Sequence, residues 1–142
     1  MDAWRSAVIQ EVQKWLRTPW HHRAKVLGVG VDCAQLLIAA YAGAGIIEDF
    51  DTGEYPPDLM LHSEQELFTE WIERYMNPIE SPEPGDAVLW KFGRSFSHAA
   101  IVVAWPNFIH AYRAEGCVCY GDDRDVYLNR RAKHFYTPKV IP

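Results

Sequence analysis

The chain has 142 residues, a net charge of −5, and is 49% hydrophobic, 13% aromatic and 23% charged. So much burial-prone surface excludes a disordered chain and specifies one globular domain over residues 1–142. The acidic balance speaks against a general nucleic-acid binder, and no apolar run approaches the roughly 18–20 residues of a membrane span.

Residues 2–17 carry apolar side chains at helical spacing: Trp4, Val8, Val12 and Trp15, widened by Ile9 and Leu16. Thr18-Pro19 ends this helix, because proline disfavours helical backbone at the residue before it. The segment lacks the continuous apolar stretch of a secretory leader, so the chain is expected to be made in the cytoplasm without a signal peptide. A polar, basic stretch, Trp20-His21-His22-Arg23-Ala24-Lys25, leads to the glycine-punctuated turn Gly28-Val29-Gly30-Val31-Asp32-Cys33. A second helix starts at Asp32 or Cys33, with Asp32 as N-cap or first-turn residue. Its run from Ala34 to Ala42 is nearly all apolar, so it is buried on most sides, and Gly43 and Gly45 stop it.

Residues 48–62 read as loop, broken by Asp51-Thr52-Gly53 and Pro56-Pro57. A third helix runs from about Ser63 to Tyr75, opened by a capping box of Ser63 and Glu66, with Leu67, Phe68, Trp71, Ile72 and Tyr75 on its apolar face. Pro78, Pro82 and Pro84 exclude regular structure after it. From Gly85 the period becomes that of strands, over 87–90, 98–104, 108–112, 116–120 and 131–140. Trp105-Pro106-Asn107 joins the second and third of these as a hairpin loop. Helices first and strands later make an α+β fold with an antiparallel sheet.

Cys33, Cys117 and Cys119 are an odd count, which excludes a disulfide framework and points to a reducing compartment. Cys117 and Cys119 lie too close for a C-x-x-C zinc knuckle and read as strand packing. Cys33 differs, because it opens an apolar helix behind a glycine-rich turn. The free N–H groups and positive potential of a first helical turn stabilise a thiolate and can hold the oxyanion of a tetrahedral intermediate. Alone, such a cysteine is more readily read as buried packing than as a nucleophile.

A nucleophilic cysteine needs a base, and His98, opening a strand after the polar residues 91–97, can face a cleft. A cationic His98 and the helix start together predict a depressed Cys33 pKa. His110 sits in the next strand. A three-residue loop at 105–107 sets His110 opposite Val102 and His98 opposite Ala114. The histidines then share a face but lie roughly 13 Å apart on an ideal ladder. Direct contact demands strong twist, a bulge or another register, and Tyr112 is the rival orienter of the His98 imidazole.

These residues resemble the NlpC-type cell-wall cysteine peptidases, relatives of the papain-like enzymes. Thr18-Pro19-Trp20 resembles that family's Thr-Pro-Tyr, and Gly30-Val31-Asp32-Cys33-Ala34-Gln35-Leu36-Leu37 its Asp-Cys-Ser-Gly-Leu helix start. Pro84-Gly85-Asp86-Ala87-Val88-Leu89-Trp90 resembles its Pro-Gly-Asp-Leu strand. Ser97-His98-Ala99-Ala100-Ile101 resembles the strand of the catalytic histidine, and Ile109-His110-Ala111 that of the orienting residue. The stretch from His21 to Leu37 is similar to short phage and prophage members, often tail-associated. Ala34 and Gln35 depart from the family's Ser-Gly, and Trp20 from a tyrosine that lines its substrate pocket.

The resemblance implies a papain-like fold, with N-terminal helices on a small antiparallel sheet and a single catalytic domain. It implies Cys33 as nucleophile, His98 as proton carrier and His110 as orienter, with the Cys33 N–H contributing to the oxyanion hole. It also implies Trp20, Asp32 and Arg23 as substrate-binding residues; the basic Arg23 and Lys25 can meet carboxylates of the substrate or simply form a solvated face. The implied substrate is the peptidoglycan stem peptide, cut between D-γ-glutamate and the diamino acid. The implied partners are other phage tail proteins, and delivery to the wall is by a phage particle.

Other readings stay open at this point. His21, His22, His98, His110 and Cys33 form a zinc-type ligand set. H-E-x-x-H and paired C-x-x-C are absent, so no metal and no cofactor is expected. A tail assembly subunit without catalysis fits the fold, and an acyltransferase or amidase fits the same triad.

Overall fold

The computed structural model describes residues 1–55 and 67–139. Helix α1 spans Ala3–Gln13 and buries Trp4, Val8 and Val12, the stripe expected from their spacing. It stops short of the predicted end at residue 17. The Trp15 and Leu16 N–H groups bond three residues back, and the Arg17 N–H leaves the helix for the Val118 carbonyl. A small hairpin of β1 (Lys25–Val26) and β2 (Gly30–Val31) follows. Gly30 is required there by space, since a Cβ would lie 2.8 Å from His21 Cβ.

Helix α2 spans Cys33–Gly43. Asp32 caps it by accepting from the Gln35 N–H at 3.0 Å. Its other end closes with Gly45 at φ +77°, the Gly45 and Ile46 N–H groups bonding back to Ala42 and Tyr41. Helix α3, Leu67–Tyr75, buries Phe68 and Ile72. The expected capping box at Ser63 and Glu66 lies outside the described residues.

The remaining strands are β3 (Met76–Ile79), β4 (Ala87–Phe92), β5 (Ser95–Ala104), β6 (Asn107–Tyr112), β7 (Cys117–Asp122) and β8 (Lys133–Pro138). They form one antiparallel sheet in the order β3-β8-β4-β5-β6-β7. Strand β3 corrects the sequence reading, which gave Pro78 as a bar to regular structure. β3 is an edge strand, and an edge position tolerates a residue without an N–H. The four-residue helix α4, Val126–Asn129, and the β1–β2 hairpin are further elements that periodicity does not show.

One sheet face carries Ala87, Leu89, Ala99, Ile101, Ile109, Ala111, Val118 and Tyr136 against α1, α2 and α3. A separate cluster gathers Val88, Trp90, Ala100, Val102 and Phe108 with Leu128 of α4. The α+β architecture, with N-terminal helices on a small antiparallel sheet, is therefore the one expected. Among the described residues, no helix is long and apolar enough to cross a membrane.

The β5–β6 hairpin departs from the predicted register. Ala104 pairs with Asn107, so only Trp105 and Pro106 form the loop, and the ladder slips between Val102 and Ala104. The resulting pairs are Val102 with Phe108 and Ile101 with Ile109, not Val102 with His110. Counted onward, His98 falls opposite Tyr112, and the histidines become diagonal neighbours, about 7–8 Å apart rather than at the predicted separation.

Candidate active site

Two local features bring Cys33 to the strand of His98. Asp32 caps α2, which makes Cys33 the first residue of the helix and presents its thiol beside free N–H groups. The second is an irregularity in β5. Trp90 pairs with His98 and Lys91 with Phe96, so Ser97 is the extra residue of a bulge. A bulged residue is released from its ladder and re-aimed. The Ser97 carbonyl accepts from Cys33 Sγ at 3.5 Å. The nearby backbone N–H groups of Ala99, Ala34 and Cys33 favour the ionised form of the sulfur. The thiol is thus held by main-chain groups on both sides of His98.

The thiol is not activated at rest, contrary to the sequence expectation. Burial pushes it up to about 12, the Asp32 carboxylate adds to the shift, and the surrounding N–H groups offset only part of it. The expectation relied on a cationic His98. Burial instead holds His98 well below the ordinary imidazole value, and the charges of His110 and Arg131 act in the same direction. Burial brings His110 down to about 4, opposed by Asp125. The resting site therefore holds a neutral thiol and two neutral imidazoles at neutral pH.

His98 Nε2 lies 2.9 Å from His110 Nδ1, both side chains being buried. The pair sits in an aromatic cage. Trp90 stacks on His98 at 5.5 Å, Phe92 meets its edge at 5.4 Å, and Tyr112 stacks on His110 at 4.6 Å. Trp90 is itself fixed, donating from Nε1 to Asp123 Oδ1 at 2.9 Å, and Lys133 holds the other oxygen of Asp123. Tyr112, the rival orienter, lies 5.2 Å from His98 by ring centroid and touches both histidines.

Asp32 is buried and saturated. Besides capping Gln35, its second oxygen accepts from the Arg23 N–H at 2.8 Å and the Tyr55 hydroxyl at 2.5 Å. The Arg23 bond holds a residue at φ 60°, a strained value for a side chain other than glycine. The Arg23 guanidinium pairs with Glu54 at 3.5 Å. His21, His22, Arg23, Ala24, Glu54 and Tyr55 line a cleft of about 470 Å³. Trp20 is absent from that lining: it packs on the main core and takes the Arg113 guanidinium at 5.1 Å over its ring. The structure thus joins the Arg23 backbone to Asp32, the residue before the nucleophile, and packs Trp20 and Cys33 against the same core.

Sequence reasoning missed Tyr55 and the role of Gln35, whose Nε2 donates to Thr52 Oγ1 and Tyr55 Oη, each at 3.2 Å. Tyr55 stands in a non-periodic stretch beside Pro56-Pro57, and only the unusual polar Gln35 in an apolar helix hinted at a partner.

No protein-family model matches this chain, and no curated protein sequence is significantly similar to it. Solved structures are similar in fold. The NlpC/p60 domain of the peptidoglycan hydrolase SagA superposes with a TM-score of 0.63 at 18% identity, covering 92% of this chain and 96% of that one. An NlpC/p60 family protein from Bacillus cereus gives 0.65 at 21% identity, over 92% of this chain and 39% of its own length. RipD from Mycobacterium tuberculosis, described as a non-catalytic NlpC/p60 domain protein adapted to peptidoglycan binding, gives 0.59 at 15%, covering 99% and 100%. The chain has the NlpC/p60 fold, and spans about two fifths of the Bacillus cereus protein.

Proposed function

We propose that this chain is a cell-wall hydrolase, and specifically a cysteine peptidase acting on the peptidoglycan stem peptide between D-γ-glutamate and the diamino acid. The observation that carries the reading is the thiol of Cys33 held against the strand of His98, whose imidazole is bonded to His110 at 2.9 Å. A wall-binding domain that had lost catalysis needs none of these three side chains. The resemblance of His21–Leu37 to phage members supports delivery to the wall by a phage particle, with tail proteins as partners.

In this reading His98 Nδ1, the ring nitrogen not engaged with His110, takes the Sγ proton as the sulfur attacks the amide carbonyl carbon. The Cys33 N–H receives the developing oxyanion. The imidazolium then gives the proton to the leaving nitrogen, the C–N bond breaks, and a thioester remains on Cys33. Water loses a proton to His98 and adds to the thioester. The C–S bond breaks, the carboxylic acid leaves, and the proton returns to the sulfur. Because the resting thiol is neutral, proton transfer accompanies attack instead of preceding it.

Incubation with purified peptidoglycan, followed by mass analysis of the released fragments, tests the proposal. Fragments ending at D-γ-glutamate, absent with Cys33→Ala, are the expected result. Tight sedimentation with the wall and no fragments would replace it with a binding role of the RipD kind.

A further inference from the structure

We propose that Gly121 is a positioning residue for the histidine pair, acting through Phe108 and His110. The inference rests on the peptidase reading of Cys33, His98 and His110, but not on the identity of the substrate.

Gly121 lies directly opposite Phe108 in the β6–β7 ladder. Its φ lies outside the left-handed region, so backbone conformation does not demand a glycine. Space does. A Cβ at this position would stand 2.3 Å from Phe108 Cε1, 2.8 Å from Phe108 Cζ and 2.9 Å from His110 Nε2. All three separations are shorter than non-bonded carbon and nitrogen atoms tolerate.

Neither ring can retreat freely. Phe108 is fully buried, its ring 4.9 Å from Trp90 and 4.9 Å from His110, within a cluster that includes Val88, Val102 and Leu128. Trp90 in turn stacks on His98. His110 is covered on one face by Tyr112. The contacts therefore close a circuit from Gly121 through Phe108, Trp90 and His98 to His110. Interiors packed at this density pass a displacement on instead of absorbing it. Because an imidazole is rigid, a push on His110 Nε2 also moves Nδ1, the atom bonded to His98.

Three variants test this: Gly121→Ala, Phe108→Leu, and the two combined. Three readouts are taken: fragment release from peptidoglycan, the pH profile of Cys33 alkylation, and the long-range ¹H–¹⁵N spectrum of the imidazoles. Gly121→Ala is expected to lower kcat by about tenfold with KM within about twofold, and to shift the His98 and His110 nitrogen resonances. Adding Phe108→Leu, which makes room for the methyl, restores the resonances and most of the lost rate relative to Phe108→Leu alone. A folded Gly121→Ala protein with unchanged resonances and rate overturns the proposal. Where Gly121→Ala alone does not fold, the combined variant decides. Behaviour matching Phe108→Leu supports the proposal, and failure to fold or to match overturns it. If the wild type releases no fragments, the peptidase reading fails by itself, while the alkylation profile and the spectrum still decide the role of Gly121.

Discussion

His98 Nε2 and His110 Nδ1 share one hydrogen bond of 2.9 Å between two rings that burial keeps neutral. One of the two nitrogens must carry the proton. If His98 donates, its Nδ1 keeps a lone pair and can serve as base toward Cys33; if His110 donates, Nδ1 is protonated and cannot. The orienting role of His110 is therefore a choice of tautomer as well as of position.

From this it follows that Cys33→Ala and His98→Ala each abolish hydrolysis while the fold is kept. His110→Ala leaves a residual rate, reduced on the order of 100-fold, because the orienter biases a base it does not replace. Steady-state rates on wall fragments check this. Full activity in His110→Ala would hand the orienting role to Tyr112, and activity as low as that of Cys33→Ala would show that His110 does more than orient.

The same pair makes the fold acid-sensitive. Both imidazoles have lowered folded values, so between about pH 6.5 and the folded values the unfolded chain binds protons that the native chain refuses. Stability is intact above about pH 6.5 and falls as the pH drops through this window. For His110, with a folded value of about 4, the loss approaches roughly 3 kcal/mol at the bottom of the window. Urea unfolding at stepwise pH should show this slope, and His110→Asn should flatten it. An unchanged slope in His110→Asn would contradict the burial of a neutral ring at this position.

Much of this arrangement was legible in the sequence because short-range signals specify it. Apolar spacing specifies α1 and α2, Asp32 is a residue type that caps a helix, and the block Ser97–Ile101 marks the strand of His98. What escaped depends on partners distant in the chain. Two irregularities in β5, at Ser97 and between Val102 and Ala104, set how the strand meets α2 and β6, and neither has a residue signature. The predicted distance between the histidines is too long because the loop has two residues instead of three and the ladder slips by one more beside it. The thiol pKa departs from the expected direction because the helix N-terminus is visible in sequence whereas the depth of burial around Cys33 is not. The tolerance of Pro78 within a strand depends on β3 lying at the sheet edge, which local sequence does not show.

Alkylation kinetics separate a neutral resting site from a preformed ion pair. With the Cys33 thiol near 12, its rate of reaction with iodoacetamide should be slow at pH 7 and climb about tenfold per pH unit through pH 9 without a plateau. Cys119, pushed up to about 11 by burial and by Cys117, should also be slow at pH 7. A plateau in the Cys33 rate between about pH 5 and 7 would reveal a thiolate–imidazolium pair and overturn the neutral description.

Asp32→Asn offers the most selective test of what sets that thiol. Asparagine is as good an N-cap as aspartate, so the bond from the Gln35 N–H to Oδ1 can survive. The second oxygen is another matter. It accepts from the Arg23 N–H and the Tyr55 hydroxyl, and an amide nitrogen there leaves the Arg23 donor unmatched. That loss should cost about 1–3 kcal/mol, read as a lower urea midpoint. The charge effect runs in the opposite direction for the nucleophile. The Asp32 carboxylate repels a thiolate and is the second cause of the raised Cys33 value, so its removal lowers the thiol pKa. Asp32→Asn should therefore be less stable than the wild type and yet label faster at Cys33 at pH 8. Asp32→Ala, which lacks the cap as well, should be less stable still. A folded Asp32→Asn protein that labels no faster than the wild type would remove Asp32 from the control of the nucleophile.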